Sequence, residues 1–98
     1  MYLYCWHCLD KPEGGAEARA LVRPAHLAWV STLGDRVRMA GPLLSEAGAM
    51  IGSLLLVEAA SLDEARALQA EDPYVKGGVF DLVTIYETRW AIGEGKRA

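Results

Sequence analysis

Apolar residues recur along the chain with two different periods. Dense apolar and aromatic runs, some of them strictly alternating, predict β-strands at 2–9, 36–40, 52–58 and 80–90. Apolar residues at every third or fourth position predict helices over 16–33 and from Ser61 to about Asp72. The predicted order of elements is therefore β-α-β-β-α-β.

Local signals set the ends of the two helices. Pro24 would interrupt the first helix, so we expect a short helical turn to Val22 and then a second helical segment with Pro24 in its first turn. Gly34 is expected to close this segment in the left-handed conformation. Ser61 and Glu64 have the spacing of a capping box, which places the start of the second helix.

The element order is that of a ferredoxin-like α+β sandwich, in which an antiparallel sheet carries two helices on one face. Gly41 and Pro42 are expected to end the second strand, and residues 73–78 are expected to form a turn. We expect the two helices to follow parallel central strands, and therefore to run roughly parallel to each other.

The strands predict a second buried surface. In the first strand Tyr2, Tyr4 and Trp6 alternate with Leu3 and Cys5, so both of its faces are apolar. Residues 53–57 of the third strand are also apolar on both faces, and 52% of the whole chain is hydrophobic. Because helices cover one face of the sheet, we expect the sheet of a second subunit to cover the other face in a homodimer.

Two ionisable residues lie on the apolar stripes of the predicted helices. Apolar residues follow His26 at positions +3, +4 and +7, and Asp72 lies four residues after Leu68. Each lies about ten residues into its helix, at similar depth in parallel helices. A buried carboxylate requires a partner, so we expect a His26–Asp72 pair. The pair is either a general acid/base dyad or a polar pair that satisfies two buried groups.

Two arginines precede His26 by seven and three residues on the same predicted helix. Either guanidinium could bind an anionic substrate in bidentate fashion, or it could belong to a solvated helix face. The candidate substrate contacts on this helix are Arg19 and Arg23.

Four other residues are candidate walls of a pocket beside the pair. Glycines at either side of the predicted β-hairpin permit close approach of a ligand, or they serve ordinary hairpin geometry. A serine hydroxyl there could bind substrate, and a tyrosine after Asp72 could line the pocket or pack as a core aromatic. These candidates are Gly41, Pro42, Ser53 and Tyr74.

The Cys5-Trp6-His7-Cys8 segment has the spacing of a metal or redox motif. In a strand, however, Cys5 and Cys8 have opposite parity and point to opposite faces, so they cannot chelate one ion. No helix begins here to lower a thiol pKa. We therefore expect buried thiols, no metal and no disulfide between these two cysteines.

Composition narrows the classes of function. The 98 residues predict one domain over 1–92 with a polar tail at 93–98, and the net charge is −3 with scattered basic residues, which disfavours nucleic-acid binding. No apolar run has the length of a membrane span, and the start of the chain lacks a signal-peptide pattern. Two cysteines indicate a cytoplasmic protein with reduced thiols, and no motif implies a metal or an organic cofactor.

Four stretches in the right order resemble the YCII-related domain family of YciI-like proteins, and the resemblance extends from residue 2 to about residue 92. They are Arg23-Pro24-Ala25-His26-Leu27, Gly41-Pro42-Leu43, 52–59 and Asp72-Pro73-Tyr74. The resemblance implies a ferredoxin-like fold that dimerises through its sheets, similar to dimeric α/β-barrel proteins. It also implies an active site with a His and an Asp, here His26 and Asp72. The Cys5–Cys8 segment is not part of the family pattern.

The resemblance suggests lyase or dehydrochlorinase chemistry, because a few family members act in aromatic degradation. We therefore expect an enzyme with general acid/base chemistry of the lyase or isomerase type, acting on a small anionic or aromatic compound. The alternative from the residues is a dimeric protein that binds a small molecule without catalysis. The two differ in whether the pair reaches an open pocket.

Overall fold

The computed structural model describes residues 1–95, which form one antiparallel sheet and the helices packed on it. The strands are β1 (Tyr2–Asp10), β2 (Val37–Leu44), β3 (Met50–Ala59) and β4 (Phe80–Thr88). The helices are α1 (Gly15–Thr32), α2 (Leu62–Ala70) and α3 (Pro73–Lys76), with a short 3₁₀ turn at Gly34–Arg36. The strand order is β2-β3-β1-β4 and each neighbouring pair is antiparallel, consistent with the predicted ferredoxin-like arrangement.

The core lies between the sheet and the helices. Alternate residues of β1 and β3 are buried there, namely Tyr4, Trp6, Cys8, Leu55 and Val57. Trp6 stacks against Trp29 of α1, with 6.2 Å between ring centroids. The period-two pattern of the strands therefore meets one face of the helices, as binary patterning requires.

The expected break in the first helix is wrong, because α1 continues through Pro24. A proline inside a helix removes one backbone hydrogen bond, here to the carbonyl of Ala20. Both residues lie on the exposed side of α1. Buried residues on either side, Arg19 and His26, hold the two halves of the helix in line.

The predicted helix caps are confirmed. Gly34 follows α1 with a positive φ of 56°, a conformation that glycine adopts without strain. The Ser61 hydroxyl accepts a hydrogen bond from the Glu64 amide at 3.1 Å and caps α2. The Glu64 carboxylate accepts from the amide of Ala60, one residue earlier than in an ideal capping box.

Strand β2 extends beyond its predicted end, since Gly41 and Pro42 lie inside it. Pro42 is tolerated because β2 is an edge strand, where one side of the backbone needs no ladder partner. Its partner β3 begins earlier than expected, at Met50. Gly52 of β3 lies so close to Cys8 that a Cβ atom would come within 2.2 Å of the Cys8 carbonyl oxygen.

The expectation that the two helices follow parallel central strands is wrong. The argument that placed His26 and Asp72 at similar depth along parallel helices is therefore wrong as well. Strands β1 and β3 are antiparallel. Helix α2 ends at Ala70, and Asp72 is the N-cap of α3 rather than part of α2. The predicted turn at 73–78 contains this short helix, since Pro73 suits a first helical position and an aspartate before it caps the free amides.

The face of the sheet opposite the helices is apolar and partly exposed. Cys5 lies on this face, directly opposite Leu56 of β3 and Tyr86 of β4. Tyr86 and Leu82 are 66% and 45% exposed in the single chain. We call this surface the open sheet face.

No helix within residues 1–95 combines the length and the apolar character that crossing a membrane requires. Residues 96–98 of the predicted polar tail lie outside the described residues.

Candidate functional site

His26 and Asp72 form a direct hydrogen bond on the helix side of the sheet. His26 Nδ1 lies 2.7 Å from Asp72 Oδ1, and the two side chains are 9% and 1% exposed. The contact joins α1 to the junction between α2 and α3. The structure thus brings together two residues that are 46 positions apart in the sequence.

Asp72 is fixed by its second role as a helix cap. The same Oδ1 atom accepts a hydrogen bond from the Tyr74 amide at 2.9 Å. An ionised carboxylate can only accept, so a contact with ionised Asp72 requires His26 to carry a hydrogen on Nδ1. The other ring nitrogen, Nε2, is then the atom of His26 that can take up or release a proton.

Tyr74 fixes the imidazole from its face. The rings of Tyr74 and His26 stack with 3.8 Å between centroids and 11° between planes. The guanidinium carbon of Arg19 lies 4.7 Å from the Tyr74 ring centroid. Hydrogen bonding in the plane and stacking on the face together hold the His26 ring in one orientation.

Arg19 is part of a buried polar cluster rather than a solvated helix face. It donates two hydrogen bonds to the Asp10 carboxylate, at 2.8 and 2.7 Å. It also donates to Ser53 Oγ at 2.9 Å. The bonds to Asp10 raise the pKa of the guanidinium above its usual range. Arg19 is therefore a permanent, fully oriented donor.

A pocket of about 160 Å³ opens beside His26. All the substrate contacts expected from the sequence line it, namely Arg19, Arg23, Gly41, Pro42, Ser53 and Tyr74. Asp72 lies behind His26 and does not line the pocket. An engineered cavity of about 150 Å³ binds benzene, so the volume suits a single ring.

The rest of the pocket wall is apolar and reaches solvent. Leu55 and Val30 form its inner part, and Leu27 and Met50, which are 51% and 43% exposed, lie at its outer edge. No carboxylate is among the side chains that line this pocket. The pair is thus buried but adjacent to an accessible space.

Sequence reasoning missed Asp10. It follows Tyr4, Trp6 and Cys8 at even spacing, and these residues all face the helices. That alternation is the signal that could have found it, because an acidic residue in phase with a buried face needs a cationic partner.

The two cysteines occupy different environments. Cys8 is buried on the helix-covered face and Cys5 lies on the open sheet face, and both are free thiols. Burial, with a smaller contribution from the charge of Asp72, raises the pKa of the Cys8 thiol to about 12. Within residues 1–95 no group of three histidine, cysteine or acidic side chains is placed to hold a metal ion.

The family model of the YCII-related domain matches residues 2–89. The chain belongs to the YCII-related domain family. It is 37% identical over 91 residues to Protein YciI of Escherichia coli and, equally, of Shigella flexneri. Each alignment covers 85% of this chain and 92% of the relative.

A solved structure of a dehydrochlorinase has the same fold. It is the 5-chloro-2-hydroxyhydroquinone dehydrochlorinase from Burkholderia phenoliruptrix, in complex with 2,5-dihydroxybenzoquinone. The two chains are 29% identical and superpose with a TM-score of 0.81. The match covers 97% of this YCII-related chain and 99% of the dehydrochlorinase.

Proposed function

We propose that this member of the YCII-related family is an acid/base enzyme that acts on a small organic compound, with His26 as the proton-transferring residue. The observation that carries the proposal is the 2.7 Å contact between His26 Nδ1 and Asp72 Oδ1, because His26 also lines an open pocket. Asp72 orients the ring and balances the charge of the imidazolium that forms when Nε2 takes a proton.

The proposed reaction is an elimination or an isomerisation. Nε2 of neutral His26 removes a proton from a saturated substrate carbon next to a carbonyl group. A chlorinated hydroquinone presents such a carbon, beside a saturated carbon that bears the chlorine, in its diketo tautomer. In elimination, the electron pair left behind forms a double bond and expels a leaving group, such as chloride, from the neighbouring carbon. The imidazolium then releases its proton to solvent. In isomerisation, the same proton returns to a different carbon of the substrate.

The proposed substrate is a single-ring compound with oxygen substituents. The pocket volume suits one six-membered ring, and its wall combines apolar side chains with basic ones. The dehydrochlorinase with the same fold is in complex with a compound of this kind, a dihydroxybenzoquinone. Its reaction is an elimination, which agrees with a site built on proton removal.

The proposed active assembly is a homodimer that buries the open sheet face. Exposed apolar side chains on this face, including Tyr86 and Leu82, favour an interface with a second copy. The pocket lies on the helix side of the sheet, so this assembly leaves it accessible.

Chloride release from 5-chloro-2-hydroxyhydroquinone provides the first test of the function. We expect turnover by the wild-type chain and a loss of roughly 100-fold or more in His26→Ala, which lacks the base. Ser31→Ala is the control, since Ser31 is exposed on α1 and is not among the residues that line the pocket, and this variant should retain turnover.

Equal turnover in His26→Ala and the wild type would contradict the proposed base. If the wild type binds the compound without any turnover of it or of related halogenated and hydroxylated rings, the chain is a binding protein instead.

A further inference from the structure

Ser53 is held in a fixed hydrogen-bonding role. Its Oγ accepts a hydrogen bond from Arg19 at 2.9 Å, and the residue is 4% exposed where it lines the pocket. Within residues 1–95 no protein oxygen accepts the Ser53 hydroxyl proton. The hydroxyl therefore retains an unused donor at the pocket wall.

The roles of Arg19 and Ser53 cannot be exchanged. A guanidinium has donors and no acceptor, so it can only occupy a lone pair of the serine oxygen. Two hydrogen bonds to Asp10 hold the guanidinium in place. Because Arg19 occupies a lone pair of Ser53 Oγ, Ser53 acts towards a ligand mainly as a hydrogen-bond donor through its hydroxyl proton.

A second donor lies at the same pocket. Arg23 lines it and is exposed, and in the described part of the chain it forms no ion pair. No carboxylate side chain lines the pocket to receive a donor from a ligand. The polar side of the pocket therefore suits a ligand group that accepts hydrogen bonds, and it suits a negatively charged group best.

We propose that the Ser53 hydroxyl donates to an acceptor oxygen of the substrate, a carbonyl, phenolate or carboxylate, with Asp10 and Arg19 as positioning residues that fix it as a donor. The inference rests on the proposed function for the identity of the site and adds which substrate atom is recognised. When His26 removes a proton next to a carbonyl, the electron pair moves onto the carbonyl oxygen. Ser53 and Arg23 then stabilise the resulting enolate oxygen.

The test measures binding of two probes with the same shape by calorimetry. Benzoate presents two acceptor oxygens, and benzamidine presents donors and a positive charge. We expect benzoate to bind at millimolar or lower concentration and benzamidine to bind at least about tenfold more weakly, a difference of about 1.4 kcal/mol. Equal binding of the two probes, or no benzoate binding at millimolar concentration, overturns the inference.

A serine variant separates the hydroxyl from the charge of Arg23. Ser53→Ala should weaken benzoate binding by roughly 10- to 100-fold, as expected for a lost hydrogen bond to a charged group. Arg19 keeps both bonds to Asp10 in this variant, which favours an intact fold. The control is Ser31→Ala, since Ser31 is exposed on α1 and donates to a backbone carbonyl. Unchanged benzoate affinity in Ser53→Ala overturns the inference.

The positioning role is tested by coupling. The double replacement of Asp10→Asn and Arg19→Met removes the guanidinium that donates to Ser53 Oγ, and it leaves no buried charge unpaired. This replacement should weaken benzoate binding in the wild-type background and have little further effect in Ser53→Ala. Equal losses in both backgrounds would overturn the positioning role. All these readouts are affinities, so they stand or fall separately from the turnover that tests His26.

Discussion

The imidazole of His26 is restrained by two contacts of different kinds. Asp72 binds it in the ring plane and Tyr74 stacks on its face at 3.8 Å. The in-plane contact supplies charge and sets the tautomer, whereas the stacking contact supplies orientation. Variants of the two partners should therefore have different consequences.

Asp72→Asn should lower turnover by roughly 100-fold or more while the chain remains folded. Asparagine preserves the shape and can still cap α3 through its side-chain oxygen, but it cannot balance the imidazolium charge. The measurement is steady-state turnover of the wild type and the variant, with circular dichroism as the control for folding. Full turnover in Asp72→Asn would show that the carboxylate charge has no part in catalysis.

The raised pKa of Cys8 predicts a loss of stability in alkali. Below the unfolded pKa of about 8.5, the buried thiol makes its full contribution to the free energy of unfolding. That contribution is lost as the pH rises towards the folded pKa of about 12. Unfolding by urea at pH about 8 and about 10 should show a smaller fall in Cys8→Ala than in the wild type. A fall of the same size in Cys8→Ala would refute this assignment.

At the scale of elements, the sequence predicts which segments form strands and helices better than it predicts the residues at which they begin and end. Dense apolar runs identify β1, β3 and β4, and apolar residues at every third or fourth position identify α1 and α2. The hydrogen-bonded pairing that extends β2 through Pro42 leaves no local trace. The sequence assigns Asp72 to the end of α2 rather than to the cap of α3, because an aspartate before a proline suits both positions.

Replacement of Pro24 tests why α1 stays continuous. Pro24→Ala restores the missing amide donor to Ala20, and alanine has the higher helix propensity, so the free energy of unfolding should rise by about 1–3 kcal/mol. Urea denaturation provides the measurement. Pro12→Ala, in the loop before α1, is the control and should change stability little. A destabilised Pro24→Ala variant would mean that the proline supports the helix instead.

The whole molecule has two differently covered sheet faces. Helices cover one of them and form the pocket, while the open sheet face carries exposed apolar side chains. The sequence indicated this difference through strands that are apolar on both faces. It could not show which helix residues meet across the layer, since the contact of His26 with Asp72 depends on tertiary packing of elements far apart in the chain.

The open sheet face predicts a dimer in solution. Light scattering should give about twice the 10.6 kDa of one chain. Tyr86→Glu places a charge on this face and should shift the population towards monomers. Leu21→Glu is the matched control, because Leu21 is 83% exposed on α1 and remote from the sheet. A wild-type monomer at micromolar concentration would contradict the proposed assembly.

The tautomer of His26 tests the central claim most directly. Long-range ¹H–¹⁵N correlation spectra of the neutral form report which ring nitrogen carries hydrogen. If Asp72 accepts from Nδ1–H and leaves Nε2 to act on substrate, the spectra should show the Nδ1–H tautomer, and Asp72→Asn should shift the balance of tautomers. A dominant Nε2–H tautomer in the wild type would contradict the account, because that nitrogen could not then serve as the base.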